Sequence, residues 1–354
     1  MSFSFGENIR ITLFGQSHAE AIGVIIDGLP AGISFDTDAI QAFMARRAPG
    51  KSPLATARKE DDIPKILSGM KNGKTCGAPI CAIIENHDVK SGDYNPDIPR
   101  PSHADYPAFV KYKGAFDYRG GGHFSGRMTA SLCFAGALCL QILARKGIKI
   151  AAHIASIASV NDTLFNPLEP ENVNKDFPVI NPEAGLKMQD LILDTAKDGD
   201  SLGGVIECAV TGMPAGVGEP IFGGLENVIA SAMFAIPAVK GIEFGAGFAA
   251  ALMKGSENND AYYFAGQNIK TRTNNHGGIL GGLSSGMPII FRTAIKPTPS
   301  IAKTQESVNL ATGEATELII KGRHDPCIVP RAVPCVEAVT AIALTDILAN
   351  EVQL

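Results

Sequence analysis

The stretch 127–147, RMTASLCFAGALCLQILARKG, decides how the rest of the chain is read. Apolar residues cover it nearly all round, which marks a helix buried on every side rather than one lying on a surface. Gly147 supplies the stop. Such a helix needs layers around it, and the flanking sequence offers strands. Short β-branched runs alternate with Gly and Pro turns: IRITLF (9–14), GVIIDG (23–28), PICAIIE (79–85), GVIECAV (204–210), GMPIIF (286–291) and ELIIKG (317–322). Three further helices are expected. DTDAIQAFMARR (36–47) opens with acidic residues suited to capping and closes with basic ones suited to the helix dipole. LENVIASAMFAI (225–236) and VPCVEAVTAIALTDILANE (333–351) are the others. The class is mixed α and β, with sheets as the framework.

An internal echo adds the organisation. GLPAG at 28–32 returns as GMPAG 184 residues later, and each copy follows a strand-like run and precedes a helix. We read this as two related halves, about 1–185 and 186–354, facing each other in a single domain spanning 1–354.

Composition narrows the function. The net charge of −5 provides no broad basic field for nucleic acid or an anionic membrane, so any bound anion must be held by local clusters. The N-terminus lacks a basic region followed by an apolar run, and no unbroken apolar run reaches the roughly 20 residues of a membrane span. None of the 7 cysteines forms a Cys-x-x-Cys pair, so no zinc or other metal site is expected. Cys133 and Cys139 read as small core residues, and a reducing cytoplasm fits the set.

Five segments could carry chemistry. FGQSHAE (14–20) places Ser17 and His18 after a strand. Gly15-x-Ser17-x-Ala19 approaches a hydrolase nucleophile elbow, but the next run is another strand where an elbow needs a helix. His18 remains a candidate acid–base group. RRAPGKS (46–52) gathers Arg46, Arg47 and Lys51 at a Pro-Gly turn, a possible anion clamp or a plain complement to a helix dipole. RPSHADY (100–106) and YRGGGHFSGRMTA (118–130) follow. The Gly run leads to the buried helix, whose free N–H groups, with Arg127, are expected to make an anion site. NNHGGILGGLSSGMPIIFRTAIKPTPS (274–300) and KGRHDPCIVPRAVP (321–334) combine close-approach glycines, cations and stiff prolines. SGMKNGKTCG (68–77) is one residue too short between its glycines for a phosphate loop, and Asn72-Gly73 reads instead as a type I′ hairpin turn.

Taken in order, these segments resemble chorismate synthase. The family's FGESHG stands here as FGQSHA, RPGHAD as RPSHAD, RGGGRSSAR as RGGGHFSGR, GGISSG as GGLSSG and KPTSSI as KPTPSI, while GRHDPC and RAVP are intact. The resemblance runs along essentially the whole chain. It implies an α+β fold, a β-α-β sandwich of two pseudo-symmetric halves with helices packed between antiparallel sheets. It implies a lyase that eliminates phosphate from 5-enolpyruvylshikimate 3-phosphate to give chorismate, with reduced FMN as cofactor and a homotetrameric assembly. No added domain is evident, so the flavin is expected to arrive already reduced.

Residue by residue, the resemblance assigns acid–base roles to His18 and His103 and a role beside the flavin N5 to Asp325. Substrate contacts fall on Ser17, Arg46, Arg47, Arg127 and Arg331, as a substrate with two carboxylates and a phosphate requires. Flavin contacts fall on His123, Phe124 and Ser125, on Pro237 and Ala238, on Gly281, on Lys296, Pro297, Thr298, Pro299 and Ser300, and on Arg323. Several depart from the family pattern. His123 and Phe124 stand for Arg and Ser, Pro237 for Asn, and Pro299 for Ser, so a permanent charge and hydroxyls are replaced beside the flavin. Two other readings remain in play: a non-catalytic flavin- or phosphate-binding protein, and a serine hydrolase using Ser17.

Overall fold

The computed structural model describes residues 3–50, 54–56, 58, 60–88, 94–170, 173, 177–320 and 325–351. Arg323, Lys51 and His324 lie outside the described residues. The helices are α1 (Thr37–Arg47), α2 (Asp105–Tyr112), α3 (Thr129–Arg145), α4 (Pro182–Lys197), α5 (Leu225–Met233), α6 (Gly255–Asn258) and α7 (Val329–Glu351).

Helix α3 is the stretch read first. Thirteen of its residues are buried, from Thr129 to Leu143. Gly147 follows at φ +76°, a conformation that favours glycine. Its core partner is α7, and the two approach so closely at Gly136 that a Cβ there would lie 2.3 Å from the Cβ of Ala338. Gly136 is small because backbone packs on backbone. By averaged hydropathy, both Gly126–Arg145 and Val329–Ala349 are long and apolar enough to cross a bilayer, yet 83% and 89% of their apolar 18-residue stretches are buried inside the fold. The core uses their apolar surface.

The remaining layers are two five-stranded antiparallel sheets. The first orders its strands Ser4–Phe5, Arg10–Gly15, Ala21–Asp27, Ile80–Glu85, Lys65–Ser68. The second orders Val239–Phe244, Ile289–Ile295, Gly204–Thr211, Lys149–Ile157, Val160–Asn161. Helices α1 and α3 pack toward the first sheet's side, α5 and α7 toward the second's, and α3 meets α7 between them. The protein is an α+β sandwich of sheet, helices and sheet. Inward strand residues such as Ile22, Val24 and Ile26 alternate with outward ones, as one buried face per sheet requires.

The two Pro-Ala-Gly loops share one hydrogen-bond pattern. Gly32 N donates to Thr75 O (2.8 Å), Ile33 N to Thr75 Oγ1 (2.9 Å), and Thr75 Oγ1 to Pro30 O (2.6 Å). Gly216 N donates to Ser284 O (2.8 Å), Val217 N to Ser284 Oγ (2.9 Å), and Ser284 Oγ to Pro214 O (2.6 Å). Asn72 and Gly73 turn a hairpin between Met70–Lys71 and Lys74–Thr75, both at positive φ, as a type I′ turn demands. The run ELIIKG differs from expectation. Its strand ends at Leu318, while Ile319 and Ile320 leave the pairing to wall a small cavity beside Arg100.

The chain ends are tied by a carboxylate. Asp346 of α7 accepts from the backbone N–H of Glu7 (3.0 Å), Asn8 (2.7 Å) and Ile9 (2.8 Å). Successive N–H groups pointing at one anion form a nest. This fixes the start of the first sheet, and so the turn that follows its second strand.

Candidate active site

That turn carries Ser17 and His18 between the strands Arg10–Gly15 and Ala21–Asp27. Strand–turn–strand is not the setting of a nucleophile elbow, so the hydrolase reading loses its geometry. Ser17 N donates to Gly122 O (3.1 Å), which docks the turn on the Gly run. Gly120, Gly121 and Gly122 sit at φ +57°, +82° and +54°. Their lack of side chains makes room. A Cβ on Gly120 would stand 2.5 Å from His18 Nε2 and 2.7 Å from Ser17 Oγ, and one on Gly121 would stand 3.1 Å from His103 Nε2. Two imidazoles 85 positions apart in sequence thus meet consecutive glycines.

The run does not open directly into α3 as expected. Two 3₁₀ segments, Arg119–Phe124 and Gly126–Met128, intervene. Ser125 occupies their junction, where its Oγ accepts from Arg127 N (3.3 Å) and its carbonyl from Met128 N (3.1 Å). Ser125 thus caps the 3₁₀ segment that precedes α3, while α3 itself starts at Thr129 with no side-chain cap.

His103 is held from behind. Its Nδ1 lies 2.7 Å from Asp105 Oδ1, and Arg100 clamps the same carboxylate through Nε (2.7 Å) and Nη2 (2.8 Å). Burial alone would raise the Asp105 carboxyl, but the hydrogen bonds from Arg100 and His103 hold it well below the usual carboxylate range. An ionised Asp105 accepts a hydrogen bond from Nδ1–H, with Arg100 Nη2 also 3.1 Å from that nitrogen, which leaves Nε2 for the cavity. Ser102 stands just before at φ +58°, where the family's RPGHAD motif has glycine. Lys296 Nζ reaches its carbonyl (2.9 Å) and ties KPTPS to this loop.

These loops enclose a cavity of ≈ 570 Å³, a size usual for small-molecule sites. Of the expected residues, Ser17, His103, His123, Phe124 and Ser125 line it. Pro237, Ala238, Lys296, Thr298, Pro299 and Ser300 also line the cavity, as do Arg47, Arg127, Arg331 and Asp325. His18 stands behind Gly120 with its ring 5.6 Å from that of Tyr94. Four expected residues among those described do not line the cavity: His18, which stands behind Gly120, and three that lie elsewhere. Arg46 turns to Glu337 on α7 (2.6 and 3.0 Å), Pro297 packs on Gly203, and Gly281 sits in the turn between Ile279–Leu280 and Leu283–Ser284.

The arginines are committed to carboxylates. Arg47 and Arg127 both bind Asp62, and Arg331 binds Asp325 Oδ2 (2.6 Å) and the carbonyl of Arg47 (2.9 Å). Asp325 Oδ1 accepts from Thr56 N (2.8 Å). The sequence reading missed Arg58, Tyr94, Arg100 and Phe234, which also line the cavity, and Cys335, whose Sγ takes a contact from Cys133 Sγ at 3.7 Å. That contact, with Arg47 nearby, lowers the Cys335 thiol against its burial. Arg100 opens the quoted RPSHADY motif, and the two-residue spacing of His103 and Asp105 was the available signal for its role.

Three buried polar atoms on the cavity wall, Ser17 Oγ, His123 Nε2 and Thr298 Oγ1, have no hydrogen-bond partner. Buried polar groups ordinarily find one, so these await a ligand with both donors and acceptors. Burial lowers the His123 imidazole below its ordinary value, with Asp117 opposing, and Phe3, Tyr112 and Phe124 surround it at ring distances of 5.5, 5.5 and 4.2 Å. A neutral ring in an aromatic nest stands where the family motif has a permanent cation.

A pair of imidazoles, a set of arginines and a flat, partly apolar wall define an acid–base site for an anionic substrate beside a planar group. The chain belongs to the chorismate synthase family: the family model described as chorismate synthase matches residues 9–349. A chorismate synthase of Dehalococcoides mccartyi is 47% identical over 351 residues, 98% of this chain and 96% of that protein. That of Korarchaeum cryptofilum is 46% identical over 346 residues, 97% and 96% of the two. A crystal structure of chorismate synthase aligns with a TM-score of 0.77 at 28% identity, covering 99% of this chain and 94% of the other.

Proposed function

We propose that this chain eliminates phosphate from 5-enolpyruvylshikimate 3-phosphate to give chorismate, with reduced FMN in the ≈ 570 Å³ cavity. The observation that carries the reading is that His18 and His103 meet the consecutive Gly120 and Gly121 at a cavity that Arg47, Arg127 and Arg331 also line. The donor set suits a flavin: partnerless Ser17, His123 and Thr298 face a wall that includes Phe124, Pro237 and Ala238. When bound, reduced FMN supplies an electron-rich ring against the allylic system of the substrate.

The chain's own groups do the rest. As the imidazolium, with its Nδ1–H held by Asp105, His103 presents Nε2–H as the proton donor to the departing phosphate and is left neutral once the proton has gone. Arg47, Arg127 and Arg331 hold the substrate's anionic groups, and burial strengthens each contact. His18 and Asp325 hold the flavin edge and its N5. Lys296 and Ser300 support the phosphate tail, since His123 adds no charge there. Phosphate release is expected only when reduced FMN is present. Full turnover with flavin rigorously excluded would defeat the reading, and binding of oxidised FMN with no release under any condition would favour a non-catalytic flavin protein.

The two halves, about 1–185 and 186–354, act as one domain in this reading, supported by the matching loops at Gly32 and Gly216. Self-association into a homotetramer is supported by large apolar side chains left open: Phe222 and Leu252 at 90% exposure and Phe248 at 84%. Sedimentation should give about four times 37.1 kDa, and a monomer at micromolar concentration would refute it. The free thiols fit the cytoplasm.

A further inference from the structure

Arg47 and Arg127 are both buried, and two like charges in a wall of low dielectric repel each other. Asp62 stands between them. It is 2% exposed and is not among the residues that line the cavity. Its Oδ2 lies 2.5 Å from Arg47 Nη1, and its Oδ1 accepts from Arg127 Nη1. The other anchors are neutral: Thr129 Oγ1 (3.1 Å) and Gly126 O (3.2 Å) for Arg47, Asn86 Oδ1 (2.8 Å) and Glu85 O (3.2 Å) for Arg127.

Among the described residues, each guanidinium so commits three of its five N–H donors. Those that remain are on the terminal nitrogens. Glu60 is the nearest second carboxylate, but it is bound to Arg58 (2.7 Å) and to the N–H groups of His87 and Asp88, and stays 3.8 Å from Arg127. One carboxylate therefore serves two cations and leaves charge for an anion. Asp62 also holds its place at φ +51°, a region that strains residues other than glycine and is tolerated best by Asp and Asn.

We propose that Asp62 is a positioning residue for the elimination: its two oxygens set the spacing of Arg47 and Arg127, so that the remaining N–H groups of both meet one anionic group of the substrate. This rests on the reading of the two arginines as substrate anchors. In Asp62→Asn the amide Nδ2 would face one guanidinium donor to donor and displace it, while the carbonyl keeps the other.

The test is the steady-state kinetics of the full-length enzyme at saturating reduced FMN, with the FMN affinity measured separately. Asp62→Asn should raise KM for the substrate by about tenfold or more, with kcat within about threefold and FMN affinity unchanged, the pattern of lost uniform binding. Should that variant fail to fold, Asp62→Glu keeps the charge, lengthens the arm and should raise KM by about threefold or more. A parallel fall in kcat, substrate affinity and FMN affinity would make Asp62 merely structural and overturn the proposal. Arg47→Lys and Arg127→Lys run alongside separate the two claims. If neither raises KM, the anchoring reading fails. If they raise it and both Asp62 variants leave it unchanged, the positioning role alone fails.

Discussion

Replacing His103 by alanine is expected to lower turnover by ~100-fold or more, the contribution typical of a general acid. FMN should still bind, because the wall proposed for the flavin draws mostly on other parts of the cavity lining, Phe234–Ala238 and the segment from Lys296 to Ser300. The physical reason lies in the relay behind the ring. Arg100 and His103 keep Asp105 ionised, and Asp105 holds Nδ1, so only Nε2 can serve the leaving group. Without that proton the phosphate must depart with its full charge. Turnover and FMN affinity measured on the same preparation check this. A variant that turns over like the parent removes His103 from the chemistry.

The second large effect should come from a methyl group. Gly120→Ala places a Cβ 2.5 Å from His18 Nε2 and 2.7 Å from Ser17 Oγ, and it does so at φ +57°. The backbone strain costs about 1–2 kcal/mol, which a chain of this size tolerates. The displacement matters more, since moving a reacting group by about 1 Å can cost 10²-fold in rate. The variant should fold, melt slightly lower and lose activity by about 100-fold. Gly255→Ala, with nothing within 4 Å and at the exposed start of α6, is the control and should leave turnover unchanged. Equal activity in both variants would show that the imidazole of His18 has freedom to spare and that the tight Gly run has another purpose.

The two effects differ in how far the sequence revealed them. His103 sits two positions from Asp105, and that local spacing already suggests an oriented imidazole. Gly120 is one of three identical residues, and nothing local says which imidazole each one faces. The arginines mark the same boundary. Their type announces an anion, yet Arg46 and Arg47 are neighbours in sequence and part company in the fold: Arg46 goes to Glu337, while Arg47 lines the cavity and goes to Asp62. A helix places consecutive side chains about 100° apart, so adjacency on α1 guarantees different partners. Gly281 also stands apart from the residues that line the cavity. A motif match carries a residue to a place in a family, whereas in this chain Gly281 sits in the hairpin turn between Ile279–Leu280 and Leu283–Ser284.

Sequence alone determined four of the helices, many of the strands and the chemistry available, while Asp105–Tyr112, Pro182–Lys197 and Gly255–Asn258 were not read from it. The all-apolar helix, the alternating strands, the Asn72-Gly73 turn and the imidazole, guanidinium and glycine inventory are local properties, set by side-chain period, backbone freedom and functional group. Tertiary structure decided the partners. Which carboxylate neutralises which arginine, which polar atoms are left without a bond, and which glycine yields to which imidazole depend on contacts between segments up to about 300 positions apart, such as Arg46 with Glu337 at a separation of 291. Those contacts exist only once the two sheets have closed on α3 and α7, because burial removes the water that would otherwise satisfy each group separately.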